Sequence, residues 1–497
     1  MRLAMIQLRA SNIADYEQTA HHMEEMIFKV ASQKPDMILL PECAYPAYML
    51  FFDKENTELA LKKLPEIETM LSNFAARYGI YVVAGLPHWQ GSTLYNAAVA
   101  YGPDGAQVAW AAKRNLWHFD ADSFSPGSQS RVFDTPFGRV GMMVCADGRI
   151  PEVLRDLRLQ GAGLVLDAVN LVANAETPNE LKNQQHAFML RCRAQENGVY
   201  LAVCNKCGVE EKMVTYLGRS FVIGKQGQIL TECGPEEETI LICEIDEIFP
   251  TAGEAENVKY RIPDSYLPIS SAKICNWQQG RCIYTMLVQF EARTAQEYAS
   301  NATHFIAGAA VLKVRLILLP WWEGELDALC LSQIAKGLSD GTMMLLAGKK
   351  GNLRQAELWT KNGCIGILQD EEERKEDTQP ISILNVDEGL SLSVCFGHQP
   401  WTPEFVRTQA IQGADISVWY AEEAYPKHLL RTRAAENKIY VVQMTRRQAC
   451  SAFGPDGSLL VSTYTEREHS AATYIDTKSS RNKDVVPGTS VFPRYGI

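Results

Sequence analysis

Three reactive side chains stand directly after three strand-like segments in the first half of the sequence. Glu42 follows an apolar run, Lys113 ends the segment after the turn at 102–105, and Cys145 follows the apolar run 140–144. In α/β folds, chemistry collects where strands end and the chain turns into a loop or a helix. The sequence therefore places a carboxylate, an ammonium group and a thiol at the ends of three separate strands.

These three groups have complementary chemistry. A thiolate at Cys145 is a strong nucleophile, but a base or a neighbouring cation must help to form it. Glu42 can take that proton, return it to a departing amine and then activate water, while Lys113 can stabilise an anionic tetrahedral intermediate. Each signal is weak alone, because a cysteine that ends a buried strand is more often a small core residue. Together they indicate a hydrolytic site.

The elements that position these residues are short β-rich runs that alternate with helical stretches, for example 37–40, 80–84 and 140–144. In the first helical stretch, four apolar residues recur at positions i, i+3, i+4 and i+7: Met23, Met26, Ile27 and Val30. This spacing gives a helix one buried face, and we interpret its methionines as plain core packing. The alternation predicts an α/β fold in which helices cover a sheet.

The sequence contains the same pattern twice. Residues 190–200 and 430–440 agree at seven of eleven positions, and other short matches occur in the same order along both halves. A collinear series of this kind predicts a tandem of two related domains. We place the boundary near Ala272, where prolines and serines break regular structure. The predicted domains are residues 1–272 and 273–497.

The second half keeps only one of the three reactive residue types. Trp321, Glu371 and Cys395 correspond to Glu42, Lys113 and Cys145, in that order, so the cysteine is retained. The match of Glu371 is approximate because its loop is acidic and aligns poorly. The indole of Trp321 cannot accept a proton and no cation is evident, so Cys395 lacks both a base and an anion stabiliser. The nearest carboxylate, Glu323, stands two residues after the position that corresponds to Glu42. The sequence predicts an inactive copy, with a ligand-sensing second pocket as the alternative.

The first half resembles the carbon–nitrogen hydrolase, or nitrilase, superfamily over nearly all of residues 1–270. The resemblance rests on three motifs: Leu39-Leu40-Pro41-Glu42, Leu94-Tyr95-Asn96-Ala97-Ala98 leading to Lys113, and Gly141-Met142-Met143-Val144-Cys145-Ala146-Asp147. It implies an αββα sandwich, here present twice in tandem, with a Glu-Lys-Cys triad. It also implies hydrolysis of a non-peptide C–N bond with no metal and no organic cofactor.

The resemblance also implies a mode of assembly. Family members typically dimerise by stacking their sandwiches, so a fused second domain could take the place of a partner subunit. We therefore predict an intramolecular pseudo-dimer and leave open whether it assembles further into a homo-oligomer.

Three further residues take their expected roles from the resemblance. Asp120 stands where many relatives have a second glutamate, which implies that it orients Lys113 or the attacking water; a solvated loop carboxylate is the alternative. The peptide N–H of Ala146 is expected to complete the oxyanion site. Arg149 stands where carbamoylases have an arginine that meets the substrate carboxylate, and pairing with Glu152 is the alternative.

The implied mechanism passes through a thioester. Glu42 deprotonates Cys145, the sulfur attacks an amide or carbamoyl carbon, ammonia or an amine leaves, and water hydrolyses the acyl-enzyme. The expected substrate is a small amide or N-carbamoyl compound; nitrile hydrolysis is less favoured because nitrilases usually follow the cysteine with Trp-Glu, and here Ala146 and Asp147 follow it. An amidase that supplies ammonia to a separate synthetase and a non-catalytic binding scaffold are the alternatives.

Composition limits the remaining classes. Lys and Arg number 48 against 59 Asp and Glu, so the charge attraction that nucleic acid or an anionic membrane requires is missing. The longest apolar stretch, 306–322, is interrupted by charges and falls short of the roughly 18 to 20 apolar residues of a membrane span. The first ten residues lack the features of a signal peptide. The 13 cysteines, including the pair Cys204 and Cys207, fit reduced thiols. We expect a soluble cytoplasmic protein.

Overall fold

The computed structural model describes residues 1–173, 182–246, 248, 280–325, 327–370, 383–464, 468–486 and 489–492. The chain divides into two compact units: unit 1 is Met1–Arg261 with Val485–Ile497, and unit 2 is Ile262–Asp484. The boundary predicted near Ala272 lies outside the described residues. The C-terminal segment groups with unit 1, whereas the sequence placed it in the second domain. One contact of this segment is the hydrogen bond from His118 N to Thr489 Oγ1, at 2.9 Å.

Unit 1 is built from short strands and a few helices. Its described strands are β1 (Arg2–Gln7), β2 (Met37–Leu39), β3 (Tyr81–Gln90), β4 (Thr93–Tyr101), β5 (Gln107–Ala112), β6 (Arg131–Thr135), β7 (Gly138–Val144), β8 (Leu164–Ala168), β9 (Tyr200–Cys204), β10 (Cys207–Glu210), β11 (Val214–Leu217), β12 (Phe221–Ile223), β13 (Ile229–Glu232) and β14 (Thr239–Glu244). Its described helices are α1 (Tyr16–Ala31), α2 (Lys54–Lys62), α3 (Leu64–Tyr78), α4 (Pro151–Leu159) and α5 (Leu190–Asn197).

These strands form two six-stranded sheets and a β10–β11 hairpin. The strand orders of the sheets are β14-β1-β2-β3-β4-β5 and β13-β12-β9-β8-β7-β6. In the first sheet β1, β2 and β3 are parallel, and in the second β7, β8 and β9 are parallel. The other pairs are antiparallel. Strands β2, β3 and β5 therefore run in one direction and end at the same edge.

The layers of unit 1 follow from where the apolar residues point. Residues on the inner faces of both sheets, such as Met5 and Leu166, share one core, which also includes residues of α4 and α5. The outer face of the first sheet packs under α1 and α3 in a second core. The buried residues of α1 include Met23, Met26, Ile27 and Val30, which confirms the predicted helix face and its core packing. Unit 1 is thus an αββα sandwich, as the sequence predicted.

Unit 2 has its own strands and helices. Its described strands are β15 (Cys282–Gln289), β16 (Leu316–Leu318), β17 (Trp322–Glu325), β18 (Met343–Lys350), β19 (Leu353–Thr360), β20 (Gly363–Gln369), β21 (Leu384–Asp387), β22 (Leu390–Phe396), β23 (Ile416–Ala421), β24 (Tyr440–Thr445), β25 (Ser451–Phe453), β26 (Leu459–Ser462) and β27 (His469–Asp476). Its described helices are α6 (Ala295–Val311), α7 (Ala328–Ala335), α8 (Pro403–Ile411), α9 (Lys427–Asn437) and α10 (Thr477–Arg481). A two-stranded sheet of β28 (Asp484–Val486) and β29 (Thr489–Ser490) follows. In the described parts of both units, no helix is long and apolar enough to cross a membrane.

The strand order of unit 1 recurs in unit 2. The sheets run β20-β19-β18-β16-β15-β27, with β17 beside β18, and β21-β22-β23-β24-β25-β26. Strands β15, β16 and β18 are parallel, as β1, β2 and β3 are, and β22, β23 and β24 repeat the parallel centre of the other sheet. The inner faces of the two sheets again share one core, and α6 and α7 cover the outer face of one sheet. The αββα architecture is therefore present twice.

Candidate active site

The three predicted catalytic side chains meet in unit 1. Glu42 lies three residues beyond the end of β2, Lys113 directly follows β5, and Cys145 directly follows β7. Lys113 Nζ lies 2.8 Å from Glu42 Oε1, and both side chains are fully buried. Cys145 lies close enough for the charges of both groups to act on its thiol. The strand ends therefore bring together the three candidate catalytic groups: a carboxylate, an ammonium group and a thiol.

Cys145 occupies a tight turn with a strained backbone. Its φ is 52°, in the left-handed region that few residues other than glycine adopt. Two buried side chains hold its peptide groups. Asp167 Oδ1 accepts from Cys145 N at 2.8 Å, and Gln185 Nε2 donates to Cys145 O at 2.8 Å. The turn is thus fixed on both sides of the nucleophile.

The Lys113 ammonium group lies between two carboxylates. Besides Glu42, it contacts Asp120 Oδ2 at 2.7 Å, and the Asp120 side chain is also fully buried. Asn96 Nδ2 donates to Glu42 Oε1 at 2.7 Å. Burial alone would lower the pKa of Lys113, but the two carboxylates raise it well above its usual value. Lys113 is therefore a fixed positive charge.

Glu42 keeps one oxygen available for a proton. Burial raises the pKa of Glu42, and the nearby Lys113 charge opposes this rise. Among the described residues, no group donates a hydrogen bond to Glu42 Oε2. Burial also raises the pKa of Cys145 well above its usual value, so the resting thiol is protonated. The geometry suits a proton transfer from Cys145 to Glu42 that accompanies nucleophilic attack.

Comparison with known proteins shows the family of the chain. Residues 2–248 match the model of the carbon-nitrogen hydrolase family. A nitrilase of Pyrococcus abyssi is 31% identical over 249 residues, which cover 50% of this chain and 90% of that protein. The chain belongs to the carbon–nitrogen hydrolase family. It is accordingly a hydrolase that acts on non-peptide C–N bonds.

Other relatives of this carbon–nitrogen hydrolase are amidases. An omega-amidase of Danio rerio is 30% identical over 259 residues, 49% of this chain and 88% of that protein. A solved structure of an amidase from Nesterenkonia sp. AN1 is 26% identical and covers 52% of this chain and 98% of that chain, with a TM-score of 0.44. That structure is of a mutant of the amidase and shows the result of Michael addition of acrylamide at its active site cysteine. By their names, the relatives thus include both a nitrilase and an omega-amidase.

Asp120 lies against the Lys113 ammonium group. Its side chain is buried, so the alternative of a solvated loop carboxylate is wrong. Asp120 Oδ1 accepts from Tyr48 OH and Oδ2 accepts from Trp117 N, each at 2.7 Å. Tyr48 and Asp120 together fix one side of the Lys113 ammonium group.

Sequence reasoning missed Tyr48 and the residue that holds it. Glu210, at the end of β10, is fully buried, and its Oε1 accepts from Tyr48 N at 2.9 Å and Met49 N at 2.6 Å. Its Oε2 accepts from Tyr216 OH at 2.7 Å. A tyrosine six residues after the base was the available signal, because a buried hydroxyl needs a polar partner.

The turn after Cys145 carries two further predicted residues, Ala146 and Arg149. Both Ala146 and the missed residue Asp147 are buried. Asp147 Oδ2 accepts from Val144 N at 3.2 Å, and Oδ1 accepts from Asn115 N at 2.9 Å. Asp147 therefore ties the turn to the segment after Lys113. The oxyanion role of the Ala146 N–H stays a prediction.

Arg149 lies within electrostatic range of the Cys145 thiol. Its Nη2 donates to Gln184 Oε1 at 2.8 Å, and its guanidinium stands 5.0 Å from the ring centre of Trp117. Burial lowers the pKa of Arg149 to about 10, an effect that Cys145 opposes. Among the described residues, the side chain that accepts from the guanidinium is an amide. Within the described residues, the Arg149 guanidinium thus has a neutral side-chain acceptor.

Unit 2 of the hydrolase has different residues at the matching strand ends. Trp321 stands three residues beyond β16, as Glu42 stands beyond β2. Asp370 directly follows β20, and its N–H donates to Arg354 O at 2.9 Å, just as Lys113 N donates to Asn96 O at 2.7 Å. Asp370 therefore matches Lys113, one residue before the predicted Glu371, which lies outside the described residues.

The predicted match between Cys395 and Cys145 is wrong. Strand β22 continues through Cys395 to Phe396, and the residue that follows it is Gly397, with φ of 54°. Gly397 and Cys145 each lie six residues before the proline that begins the next helix, whereas Cys395 lies eight before it. Cys395 is a fully buried strand residue, and burial raises its pKa to about 12. Because both halves contain a Val-Cys pair, the sequence alignment placed Cys395 opposite Cys145, two residues before the true match at Gly397.

An ion pair lies in unit 2 at the position that matches the candidate active site of unit 1. Arg354 Nη2 lies 2.5 Å from Asp370 Oδ2, and the Asp370 side chain is fully buried. A Cβ at Gly397 would lie only 2.9 Å from Arg354 Nη1. Gln399, which matches Asp147, donates to Asp370 Oδ1 at 2.8 Å. The guanidinium therefore leaves little room for a thiol at this turn.

Proposed function

We propose that unit 1 hydrolyses a small amide or N-carbamoyl compound that carries a carboxylate. Glu42 acts as the base, Lys113 as the anion stabiliser and Cys145 as the nucleophile. The observation that carries the proposal is the buried Lys113 ammonium group, 2.8 Å from Glu42 and next to a cysteine held in a strained turn. Buried charges of this kind are costly unless they are paired, and perturbed groups cluster at functional sites.

In the first step, Glu42 Oε2 takes the proton of Cys145 as the sulfur attacks the carbonyl carbon. A C–S bond forms, and the carbonyl oxygen becomes an oxyanion. Lys113 and the peptide N–H of Ala146, both in a buried site, stabilise this charge. The raised pKa values of both Glu42 and Cys145 favour a concerted transfer over a preformed thiolate.

In the second step, Glu42 returns the proton to the leaving nitrogen. The C–N bond breaks, ammonia or an amine departs, and a thioester remains on Cys145. Glu42, again ionised, takes a proton from water as the water attacks the thioester. The acid is released and the thiol is restored, so the protein ends in its starting state.

Asp120 is a positioning residue in this proposal. Its 2.7 Å contact places the Lys113 ammonium group, and Tyr48 in turn places Asp120. A lysine side chain has four rotatable bonds, so two fixed carboxylates greatly narrow the positions that its charge can take.

Arg149 would set the substrate class. A guanidinium forms bidentate hydrogen bonds with a carboxylate, and this one lies near Cys145 while its observed side-chain acceptor is neutral. The ring of Trp117 holds the guanidinium from one side. Amidase chemistry among the relatives supports an amide as the reacting group. We therefore favour an amide or carbamoyl group on a small carboxylic acid.

Unit 2 would not catalyse this reaction. Trp321 cannot serve as a base, Asp370 has the wrong charge for an oxyanion, and Gly397 has no nucleophile. The acidic and basic groups that remain there neutralise each other.

A substrate panel tests the proposed function. Primary amides, N-carbamoyl amino acids and nitriles, each with and without a carboxylate, are scored for ammonia release, with Cys145→Ala as the control. We expect release from carboxylate-bearing amides or carbamoyl compounds and none from the control. Release from nitriles alone, or equal release by Cys145→Ala, would contradict the proposal.

A further inference from the structure

Another buried acid, Asp167, forms a hydrogen bond with the backbone of Cys145. Asp167, in β8, is fully buried, and its Oδ1 accepts the hydrogen bond from Cys145 N at 2.8 Å. The mechanism above gives this carboxyl group no role. Because it holds the peptide of a residue with φ of 52°, it is placed to stabilise that strained conformation.

The other oxygen of this carboxyl group is unsatisfied. Within the described residues, Asp167 Oδ2 has no hydrogen-bond partner although it is buried. It faces Gly148, where an added Cβ would lie 3.4 Å from it. Burying an ionised carboxylate without a partner for one oxygen is far more costly than burying the neutral acid. The environment of Oδ2 therefore suits a protonated group.

We propose that Asp167 is a positioning residue that works as a neutral carboxylic acid, holding the Cys145 turn without adding negative charge behind the thiol. The inference rests on the proposed function of Cys145 as nucleophile and adds the residue that supports it. A negative charge at this distance would oppose both thiolate formation and the oxyanion. A neutral acceptor keeps the hydrogen bond and avoids that cost.

The charged groups around Asp167 agree with this state. Burial raises the pKa of Asp167 well above its usual value, and the carboxylates of Asp147 and Glu42 raise it further. The hydrogen bond from Cys145 N and the Lys113 charge act in the opposite direction. Lys113 is already paired with two carboxylates, which limits its effect on a third.

Unit 2 supplies a natural contrast. Asp167 pairs with Met143 across the parallel strands, and at the matching position Trp419 pairs with Cys395. Trp419 Nε1 donates to Ser417 Oγ at 2.9 Å. The turn there has a glycine at its left-handed position, which needs no such support. The acid is thus present in the unit where a non-glycine residue must adopt this conformation.

Infrared difference spectroscopy tests the protonation state without any substrate. The spectrum of Asp167→Asn is subtracted from that of the full unmodified chain at neutral pH, with the exposed Asp134→Asn as a matched control. We expect the Asp167 difference to contain the C=O stretch of a protonated acid, and the Asp134 difference to contain carboxylate bands. Carboxylate bands in the Asp167 difference would overturn the proposal.

Kinetics and thiol labelling test the positioning role. Asp167→Asn keeps a neutral acceptor, so kcat should stay within about threefold and the pH dependence of Cys145 alkylation by iodoacetamide should not move. Asp167→Ala loses the acceptor, and we expect kcat to fall by about tenfold or more with little change in KM. Asp134→Asn should match the unmodified protein.

Two results would overturn the positioning role of Asp167 as a neutral acid. One is an alkylation profile of Asp167→Asn that moves to lower pH, which would show that the native group is ionised. The other is equal kcat in Asp167→Ala and the unmodified protein. If Asp167→Ala does not fold, the asparagine variant and the infrared spectrum still decide. Failure of the proposed function would appear separately, as turnover retained in Cys145→Ala.

Discussion

The turn that follows β7 in unit 1 and the turn that follows β22 in unit 2 share a backbone shape. Their first residues, Cys145 and Gly397, have φ of 52° and 54°. In unit 1 this conformation carries a thiol and is held by Asp167 and Gln185. In unit 2 it carries no side chain and lies against the Arg354 guanidinium. The same local fold therefore occurs with and without the nucleophile.

The scaffold beneath both turns is the same. Arg193 Nε donates to Gly148 O at 3.2 Å and its Nη1 pairs with Glu196 at 2.8 Å. Arg433 Nε donates to Pro400 O at 2.9 Å and pairs with Glu436 at 2.8 Å. These buried pairs lie in the segments with the strongest internal repeat. The arginine–glutamate pair is thus present in both units, while the reactive groups at the strand ends differ.

The largest effect expected from this comparison separates the two cysteines. Cys145→Ala should lower kcat by at least about 10³-fold because the covalent step is lost. Cys395→Ala should leave ammonia release unchanged, since Cys395 is a buried strand residue. Equal losses in the two variants would contradict the assignment of the active site to unit 1.

The next effect distinguishes Asp120 of unit 1 from Asp370 of unit 2. Asp120→Asn should lower kcat by about 10- to 100-fold because Lys113 loses one of its two anchors. The negative charge of Asp120 raises the pKa of Glu42, so its removal lets Glu42 ionise at lower pH. The acidic limb of the pH–rate profile should therefore move to lower pH. Asp370→Asn in unit 2 is the control, and a shift of that limb to higher pH in Asp120→Asn would contradict the account.

An effect on KM alone, limited to one class of substrate, concerns the two arginines. Arg149→Gln should raise KM about 10- to 100-fold for substrates with a carboxylate and leave KM for uncharged amides nearly unchanged. Arg354→Gln should change neither value, because Arg354 is paired within unit 2. Initial rates over a range of substrate concentrations measure both. An equal rise of KM for charged and uncharged substrates would argue against a carboxylate contact.

The smallest effect is on stability alone. Gly397→Ala adds a Cβ at a positive φ and 2.9 Å from Arg354 Nη1, so it should lower the free energy of unfolding by about 1 to 2 kcal/mol. Ammonia release should not change at temperatures where the protein stays folded. Gly351→Ala, also at positive φ but with open space around it, is the matched control for strain without the contact. Denaturant titration would show a larger loss for Gly397→Ala.

Sequence patterns predicted the α/β class, and they placed the three candidate catalytic residues at strand ends that the structure brings together. Alternating apolar runs predicted the α/β layers, and reactive residues after strands predicted Glu42, Lys113 and Cys145, because both depend on local periodicity and on strand ends. The register of unit 2 was not predictable in this way. Cys395 follows a valine as Cys145 does, and only the strand pairing shows that β22 continues beyond it.

Contacts between distant segments were also beyond the reach of the sequence. In the sequence, Asp167 is a single polar residue within an apolar strand, and Glu210 is one of two adjacent acidic residues shortly after a glycine. Their roles arise because tertiary packing brings them to Cys145 and to Tyr48, respectively. The sequence contains no spacing rule for such pairs, which are separated by 22 and 162 positions.

Trapping the acyl-enzyme tests the central claim most directly. The full chain is mixed with a substrate that the panel identifies, quenched in acid within a turnover, digested and examined by mass spectrometry. We predict one acyl adduct, on the peptide that contains Cys145, and none on the peptide that contains Cys395. An adduct on Cys395, or steady turnover in Cys145→Ala, would contradict the account.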